Sequence, residues 1–274
     1  MSKHQAPGIQ VNDVWIAHPH GRIFARVWTP AIDAGNPAPP TASPIVLLHD
    51  SLGCVDLWRD FPAQLSAGTG RRVIAYDRLG FGRSDPRSDR LALDFVAAEA
   101  GTGFRALRDQ IGFQSFIAFG HSVGGGMAVH CAARFAGDCE ALITESAQAF
   151  VEERTLQGIL IAQQQFKDKK QFERLTKFHG DKAGWVLDAW ISTWLAPDFA
   201  AWTLAPVLPR VACPVLAIHG SDDEFGSRRH PEMIAQLCGA SARMEIIAAT
   251  RHVPHRERPQ DIVDLVAGFI ASAL

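Results

Sequence analysis

The segment Phe119-Gly120-His121-Ser122-Val123-Gly124-Gly125-Gly126 contains the pattern Gly-x-Ser-x-Gly. A short apolar run, Ser115–Ala118, precedes it and is typical of a buried strand, whereas the alanine-rich run Met127–Phe135 that follows is typical of a helix. A serine in a sharp turn between a strand and a helix is the arrangement of a nucleophile elbow. The first amides of the helix would also favour negative charge developing beside the serine. The segment therefore predicts a reactive Ser122.

The composition fits one large α/β domain of 274 residues, of which 47% are hydrophobic. A net charge of -2 gives no bulk attraction to nucleic acid or to an anionic membrane. We expect no membrane span, because no apolar run approaches about 18 residues, and no secretory signal in residues 1–8. The five cysteines are scattered and odd in number, which favours a reduced, cytoplasmic chain. Without Cys-x-x-Cys or His-Glu-x-x-His, we expect neither a metal site nor a cofactor.

Apolar strands alternate with helical segments in both the first and the last part of the chain. Residues 11–17 and 22–28 predict a hairpin at a sheet edge, and the proline-rich residues 29–44 predict a loop. This rhythm predicts an α/β fold with a mostly parallel, doubly wound central sheet. Further strands are predicted at 45–48, 73–76, 141–144, 214–218 and 244–247, and helices at 57–66, 93–111, 231–237 and 261–272.

Residues 147–209 interrupt the rhythm, because they contain helical segments and no convincing strand. Helices are predicted at 152–166, 169–178 and 182–195, and large aromatic side chains are frequent among them. We therefore predict a core formed by residues 1–146 and 210–274, with a helical cap inserted between. Trp190 and Trp194, four residues apart, share a helix face. Such side chains either pack the cap or line an apolar substrate pocket beneath it.

A reactive serine needs a base within hydrogen-bond reach and an acid that orients the base. The predicted strand 214–218 leads into His219-Gly220-Ser221-Asp222-Asp223-Glu224-Phe225, which offers three carboxylates at the end of a strand where open α/β sheets place their sites. The last predicted strand is followed by Arg251-His252-Val253-Pro254-His255-Arg256-Glu257-Arg258-Pro259. The chain thus contains a serine, then acids, then histidines, in loops that can meet over the elbow.

Over essentially its full length, the chain resembles the α/β-hydrolase superfamily, and within it the lidded esterases, proline-iminopeptidase-like enzymes and carbon–carbon bond hydrolases. Gly220-Ser221-Asp222-Asp223 matches the family pattern Gly-x-x-Asp, which implies that Asp223 is the triad acid. Residues 251–259 match Gly-His-x-x-His-x-Glu-x-Pro, except that Arg251 replaces glycine. The resemblance implies that His252 is the base and His255 a structural residue; Asp222 and Glu145 remain alternative acids.

An oxyanion hole needs two N–H donors. The first is expected from Val123, the residue after the nucleophile. The resemblance implies that Ser51 supplies the second, in a loop where family members often read His-Gly-x-x-Gly. Here the loop reads His49-Asp50-Ser51-Leu52-Gly53, and Asp50 adds a carboxylate in place of a glycine.

The resemblance implies a Ser-His-Asp hydrolase without a cofactor. The aromatic side chains of the predicted cap favour a small, largely apolar ester, lactone or related carbonyl compound as its substrate. Two alternatives remain open: a carbon–carbon bond hydrolase of ring-cleavage products, which an arginine in the pocket would favour, and a ligand sensor with slow turnover. The expected partner is a small-molecule substrate, not nucleic acid or membrane, with the chain a monomer or homodimer. Pocket residues are predicted at His121, Leu52, Trp190, Trp194, Phe225 and Val253.

Overall fold

The computed structural model describes residues 8–31, 42–238 and 242–274. Its eight strands form one sheet in the spatial order β1-β2-β4-β3-β5-β6-β7-β8. The pairs β1–β2 and β2–β4 are antiparallel, and all other neighbours in the sheet are parallel. The strands are β1 (Ile9–His18), β2 (Gly21–Pro30), β3 (Ile45–Leu48), β4 (Val73–Tyr76), β5 (Phe116–His121), β6 (Cys139–Glu145), β7 (Val215–Gly220) and β8 (Ala242–Ile247).

Helices cover both faces of the sheet, so the predicted doubly wound α/β architecture is confirmed. Alternate residues of β3 pack on opposite faces of the sheet. Leu47 lies on the face covered by the helices Phe61–Thr69 and Pro259–Ala273, and Leu48 lies on the face covered by the helices Gly103–Ile111 and Val123–Arg134. The helices are α1 (Phe61–Thr69), α2 (Phe95–Ala98), α3 (Gly103–Ile111), α4 (Val123–Arg134), α5 (Glu153–Gln165), α6 (Lys169–His179), α7 (Ala183–Trp194), α8 (Arg229–Leu237), α9 (Pro254–Glu257) and α10 (Pro259–Ala273).

Two helix predictions were wrong in their bounds. The predicted helix 93–111 is divided into α2, a 3-10 turn at Glu99–Gly101, and α3. The division falls where a β-carbon on Gly103 would lie 2.3 Å from the half-buried Glu99 carboxylate, which accepts a hydrogen bond from the Tyr76 hydroxyl. The predicted helix 57–66 is a 3-10 turn at Val55–Trp58 followed by α1, because Arg59 takes a left-handed conformation with φ of 54°.

Of the predicted loop 29–44, residues 29 and 30 belong to β2 and residues 32–41 lie outside the described part of the chain, as do residues 1–7. Between β6 and β7 lie α5, α6, α7 and 3-10 turns at Gly180–Lys182, Pro197–Phe199 and Leu208–Arg210. An isolated antiparallel bridge joins Phe150 to Thr203 near the two ends of this insertion. None of the helices in the described residues has the length and apolar character needed to span a lipid bilayer.

Candidate active site

Ser122 lies in the turn between β5 and α4, with φ of 56° and ψ of -126°. This backbone conformation is strained for a residue with a side chain, and close packing around it holds the turn in place. A β-carbon on Gly124 would lie 2.1 Å from the carbonyl oxygen of Leu48, and one on Gly120 would lie 2.1 Å from the carbonyl oxygen of Gly124. The glycines of the motif therefore let α4 begin directly against the end of β3.

Three predicted residues meet through hydrogen bonds at the carboxyl end of the sheet. The Oγ of Ser122 lies 3.0 Å from Nε2 of His252, and Nδ1 of His252 lies 2.9 Å from both carboxylate oxygens of Asp223. Oδ1 of Asp223 also accepts the backbone N–H groups of Phe225 and Gly226 at 2.8 and 3.0 Å. The serine, histidine and aspartate predicted as nucleophile, base and orienting acid are thus in hydrogen-bond contact, although they come from three separate loops.

The electrostatics of the pair suit a general base. Burial alone would lower the pKa of His252, but the adjacent Asp223 carboxylate outweighs burial and raises it above its ordinary value. Burial would raise the pKa of Asp223, but His252 and the backbone donors lower it to about 2. Asp223 therefore stays ionised at neutral pH and stabilises the charge that His252 acquires when it takes a proton.

The two alternative acids, Asp222 and Glu145, have hydrogen-bond partners other than the His252 ring. Asp222 is exposed and accepts a hydrogen bond from the Ser221 hydroxyl at 2.9 Å. Glu145, at the end of β6, is fully buried and accepts the backbone N–H of His255 at 2.8 Å as well as its ring Nδ1–H. Of the candidate carboxylates, Asp223 alone is hydrogen-bonded to the His252 ring in the described structure.

His121, Glu145 and His255 form a buried group behind the nucleophile, with potential metal-ligand atoms all within 4.8 Å of one another. These atoms already serve hydrogen bonds: His255 donates to Glu145, and Nε2 of His121 lies 2.8 Å from the carbonyl oxygen of His252. Burial lowers the pKa of His121 to about 4 and that of His255 to about 3, so both rings are neutral. This group holds the backbone of His252 and does not line the cavity beside Ser122.

The loop after β3 is held in place without a glycine at position 50. The carbonyl oxygen of Asp50 accepts hydrogen bonds from His49 Nδ1 at 2.8 Å, Arg78 Nη2 at 2.9 Å and the Gly53 N–H at 3.2 Å. Nε2 of His49 accepts the Arg78 backbone N–H at 3.1 Å, and one neutral tautomer satisfies both ring contacts. The predicted oxyanion donors, Ser51 and Val123, thus lie on adjacent backbone segments that are both fixed by packing.

A cavity of about 160 Å³ opens onto Ser122 and His252. Five of the predicted pocket residues line it, whereas His121 lies behind the nucleophile and does not. Sequence reasoning missed Ile159, Thr155 and Gln148 altogether and noted Glu224 only as part of a carboxylate cluster. The lining side chains are Leu52, Ile159, Trp190, Trp194, Phe225 and Val253 among the apolar residues, and Asp50, Ser51, Ser122, Gln148, Thr155, Glu224 and His252 among the polar ones.

The helices above the cavity are anchored at two sides. On one side, Thr155 Oγ1 of α5 donates to the Phe225 carbonyl at 2.6 Å, and Arg154 Nη1 donates to the Asp223 carbonyl at 3.1 Å. On the other, Nε2 of His179 at the end of α6 donates to the Leu52 carbonyl at 3.0 Å, and its Nδ1 accepts the Gly82 N–H at 2.9 Å. Helix α5, which lines the cavity, and helix α6 beside it are therefore bonded to the loops that carry Asp223 and Ser51.

Comparison with known sequences assigns most of the chain to one group of proteins. Residues 45–265 match the sequence model described as "Alpha/beta hydrolase family". Among curated proteins, serine hydrolase BPHL from Mus musculus is 26% identical over 239 residues, which cover 82% of this chain and 78% of that protein. Several other curated relatives are longer, and this chain spans half of their length or less.

Solved structures share the fold at lower identity. A bacterial membrane phospholipase A superposes with a TM-score of 0.75 at 19% identity, covering 97% of this chain and 87% of that chain. The enol-lactonase from Burkholderia xenovorans LB400 superposes with a TM-score of 0.70 at 21% identity, covering 94% of this chain and all of the other. These likenesses concern the fold alone.

Proposed function

The chain belongs to the alpha/beta hydrolase family, and we propose that it is a serine hydrolase that cleaves a small, largely apolar ester, lactone or related carbonyl compound. The observation that carries the proposal is the hydrogen-bonded series Ser122–His252–Asp223 opening onto a small cavity with aromatic walls. The name of the curated relative, a serine hydrolase, and the lactonase and phospholipase among the structural neighbours are consistent with acyl chemistry.

In the proposed reaction, the substrate carbonyl lies in the cavity against Ser122. His252 takes the hydroxyl proton as Oγ attacks, and then donates that proton to the leaving group. The amides of Val123 and Ser51 stabilise the oxyanion, and water activated by His252 hydrolyses the acyl-enzyme. Asp223 orients the imidazole and stabilises its protonated form throughout.

The cavity favours ester-type substrates over the carbon–carbon bond alternative. No arginine is found among the described residues that line it; Arg78 lies behind the loop and donates to the Asp50 carbonyl. The ionisable lining groups other than His252 are the carboxylates Asp50 and Glu224. A substrate with its own carboxylate would be repelled, so we propose neutral or cationic substrates.

A fluorophosphonate probe combined with a panel of p-nitrophenyl esters tests the proposal. We expect labelling and ester turnover in the wild type, loss of both in Ser122→Ala and His252→Ala, and no change in Ser88→Ala, which alters an exposed serine away from the cavity. Labelling that persists in Ser122→Ala would refute the assignment. Stoichiometric labelling without sustained turnover on any ester would favour the ligand sensor.

A further inference from the structure

The nucleophile has a second polar neighbour besides the base. Oγ of Ser122 lies 3.1 Å from the side-chain amide of Gln148, at its Oε1 position, in addition to its 3.0 Å contact with Nε2 of His252. Gln148 is 3% exposed and lines the cavity. It touches the atom that would form and break the covalent bond, and the proposed reaction has so far given it no part.

The backbone around Gln148 is fixed on both sides. The Ser146 N–H donates to the Ile218 carbonyl at 2.8 Å, the Ala149 N–H donates to His230 Nδ1 at 3.1 Å, and the Ala149 carbonyl accepts the Leu204 N–H at 2.7 Å. Ala147 packs so closely on α4 that a β-carbon at Gly125 would lie 2.4 Å from its own. The amide is therefore held beside the nucleophile by a preorganised segment.

The positions of the protons on Ser122 and His252 determine which end of the Gln148 amide faces Oγ in the reactive state. Asp223 is ionised and can only accept, so the neutral His252 carries its proton on Nδ1 and leaves Nε2 as an acceptor. The single hydroxyl proton of Ser122 must then go to Nε2. Gln148 can keep its contact only by turning its NH₂ group toward Oγ, a half-turn of the amide that leaves the heavy-atom positions nearly unchanged.

A donor at Oγ acts differently in the two halves of the reaction. Before acylation Oγ is a hydroxyl that already accepts this hydrogen bond, so the bond gains little strength as His252 removes the proton and Oγ attacks. In the acyl-enzyme Oγ is an ester oxygen, which is a poorer acceptor, and it regains electron density as the acyl–Oγ bond breaks, so the hydrogen bond strengthens during deacylation. Only an interaction that is stronger in the transition state than in the ground state accelerates a step.

We propose that Gln148 is a catalytic residue specific to deacylation, an inference that rests on the proposed acyl-enzyme mechanism. In this step a new bond joins the water oxygen to the acyl carbon, and the bond from that carbon to Oγ of Ser122 breaks. The water proton passes to Nε2 of His252 and from there to Oγ, while the Gln148 NH₂ group donates to Oγ as it leaves. No redox change or co-reactant is involved.

Stopped-flow kinetics with p-nitrophenyl acetate test this role in Gln148→Leu and Gln148→Met, with Gln165→Leu, at an exposed glutamine of α5, as the control. Both Gln148 variants lose the donor without adding a charge, and methionine keeps nearly the length and shape of glutamine. We expect kcat to fall about tenfold, KM to fall in parallel, kcat/KM to stay within about threefold, and a burst of nitrophenol near one per site. Active-site titration with a fluorophosphonate counts the correctly folded molecules of each variant.

An equal fall in kcat and kcat/KM without a burst would overturn the proposal, because Gln148 would then act in acylation or in folding. Unchanged kinetics in both variants would also overturn it. A wild type that neither reacts with the probe at Ser122 nor turns over esters would instead refute the underlying hydrolase mechanism, so the two failures are distinguishable.

Discussion

Glu145 and His255 face each other in full burial directly behind the nucleophile strand, with the His255 backbone N–H 2.8 Å from the Glu145 carboxylate. The ring of His255 donates to the same carboxylate, while its plane lies against Trp58 at a centroid distance of 4.6 Å. This second acid–histidine pair resembles the Asp223–His252 pair, but its described side-chain hydrogen bonds join His255 to Glu145 and not to the Ser122 hydroxyl. Its role is to hold the backbone that carries His252.

Exchanging each acid for its amide separates these two roles. Asp223→Asn should lower kcat by about 10⁴-fold, because the amide no longer orients and stabilises the imidazole. Glu145→Gln should retain at least roughly a tenth of the activity, since the His255 ring can change tautomer to suit the amide. Ester hydrolysis per labelled site measures both. A loss in Glu145→Gln as large as that in Asp223→Asn would make Glu145 the functional acid.

The pH dependence of protein stability provides a second test of the role of Glu145. Burial raises the pKa of Glu145 from 4.5 to about 7 in the folded chain, so the folded state binds this proton more tightly than the unfolded state. Ionisation of Glu145 therefore lowers the free energy of unfolding as pH rises from 4.5 to about 7. The urea midpoint of Glu145→Gln should increase relative to that of the wild type as pH rises across this range. A difference between the two proteins that is independent of pH would contradict the pKa.

The rate should also depend on pH through His252. The reaction needs the neutral imidazole, and the Asp223 carboxylate raises the pKa of His252 above its ordinary value of 6.5. We expect kcat/KM to fall as pH drops through that raised pKa. In Asp223→Asn the burial effect remains without the opposing charge, so the acid limb should move to lower pH. A limb that stays in place would assign it to another group.

Tight packing around Ser122 predicts that an added methyl group is tolerated at Gly137 but not at Gly124. Gly124→Ala would place a methyl group 2.1 Å from a backbone oxygen, so we expect a melting temperature lower by roughly 5 °C or more and loss of probe labelling. At Gly137 an added methyl group would meet no atom within 4 Å, and the backbone has no positive φ, so Gly137→Ala should match wild type. Calorimetry and labelling measure the two effects. Normal labelling of Gly124→Ala would contradict the packing argument.

Charge at the cavity predicts substrate preference. Among p-nitrophenyl esters of similar size, one with a carboxylate should have a kcat/KM about tenfold below that of a neutral one, because Asp50 and Glu224 line the cavity. Asp50→Asn and Glu224→Gln should each reduce this difference in kcat/KM between the anionic and the neutral ester without abolishing turnover. If the anionic ester is the best substrate, the carboxylates do not act in this way.

Local patterns predicted the sheet well, because parallel strands buried on both faces read as short continuous apolar runs such as Ile45–Leu48. The loops of Ser122, Asp223 and His252 were predicted to meet because each follows a strand whose carboxyl end lies at the same edge of the sheet. The resemblance to the α/β-hydrolases then selected Asp223 and His252 among the neighbouring acids and histidines. The division of the predicted helix near Gly101–Gly103 was missed because it depends on the contact of the half-buried Glu99 with Tyr76, which lies 23 residues away in the sequence.

Gln148 was missed for a similar reason. It belongs to no motif, and its position beside Oγ follows from contacts of the flanking Ser146 and Ala149 with β7, α8 and the segment near residue 204. His121 was misplaced as a pocket residue because the strand directs alternate side chains to opposite faces, and its ring turns back toward the His252 carbonyl. Such features depend on tertiary packing, which spacing along the chain does not encode.

The anchoring of the helices near the cavity has a consequence for substrate entry. Thr155 bonds α5 to the loop of Asp223 and His179 bonds α6 to the segment of Ser51, so lifting these helices would break hydrogen bonds to loops that carry proposed catalytic residues. We therefore expect substrates to enter through the existing mouth of the cavity without an opening step. The range of acyl chain lengths should accordingly change with the size of Trp190 and Trp194, and hydrolysis should begin without a lag and without stimulation by an oil–water interface.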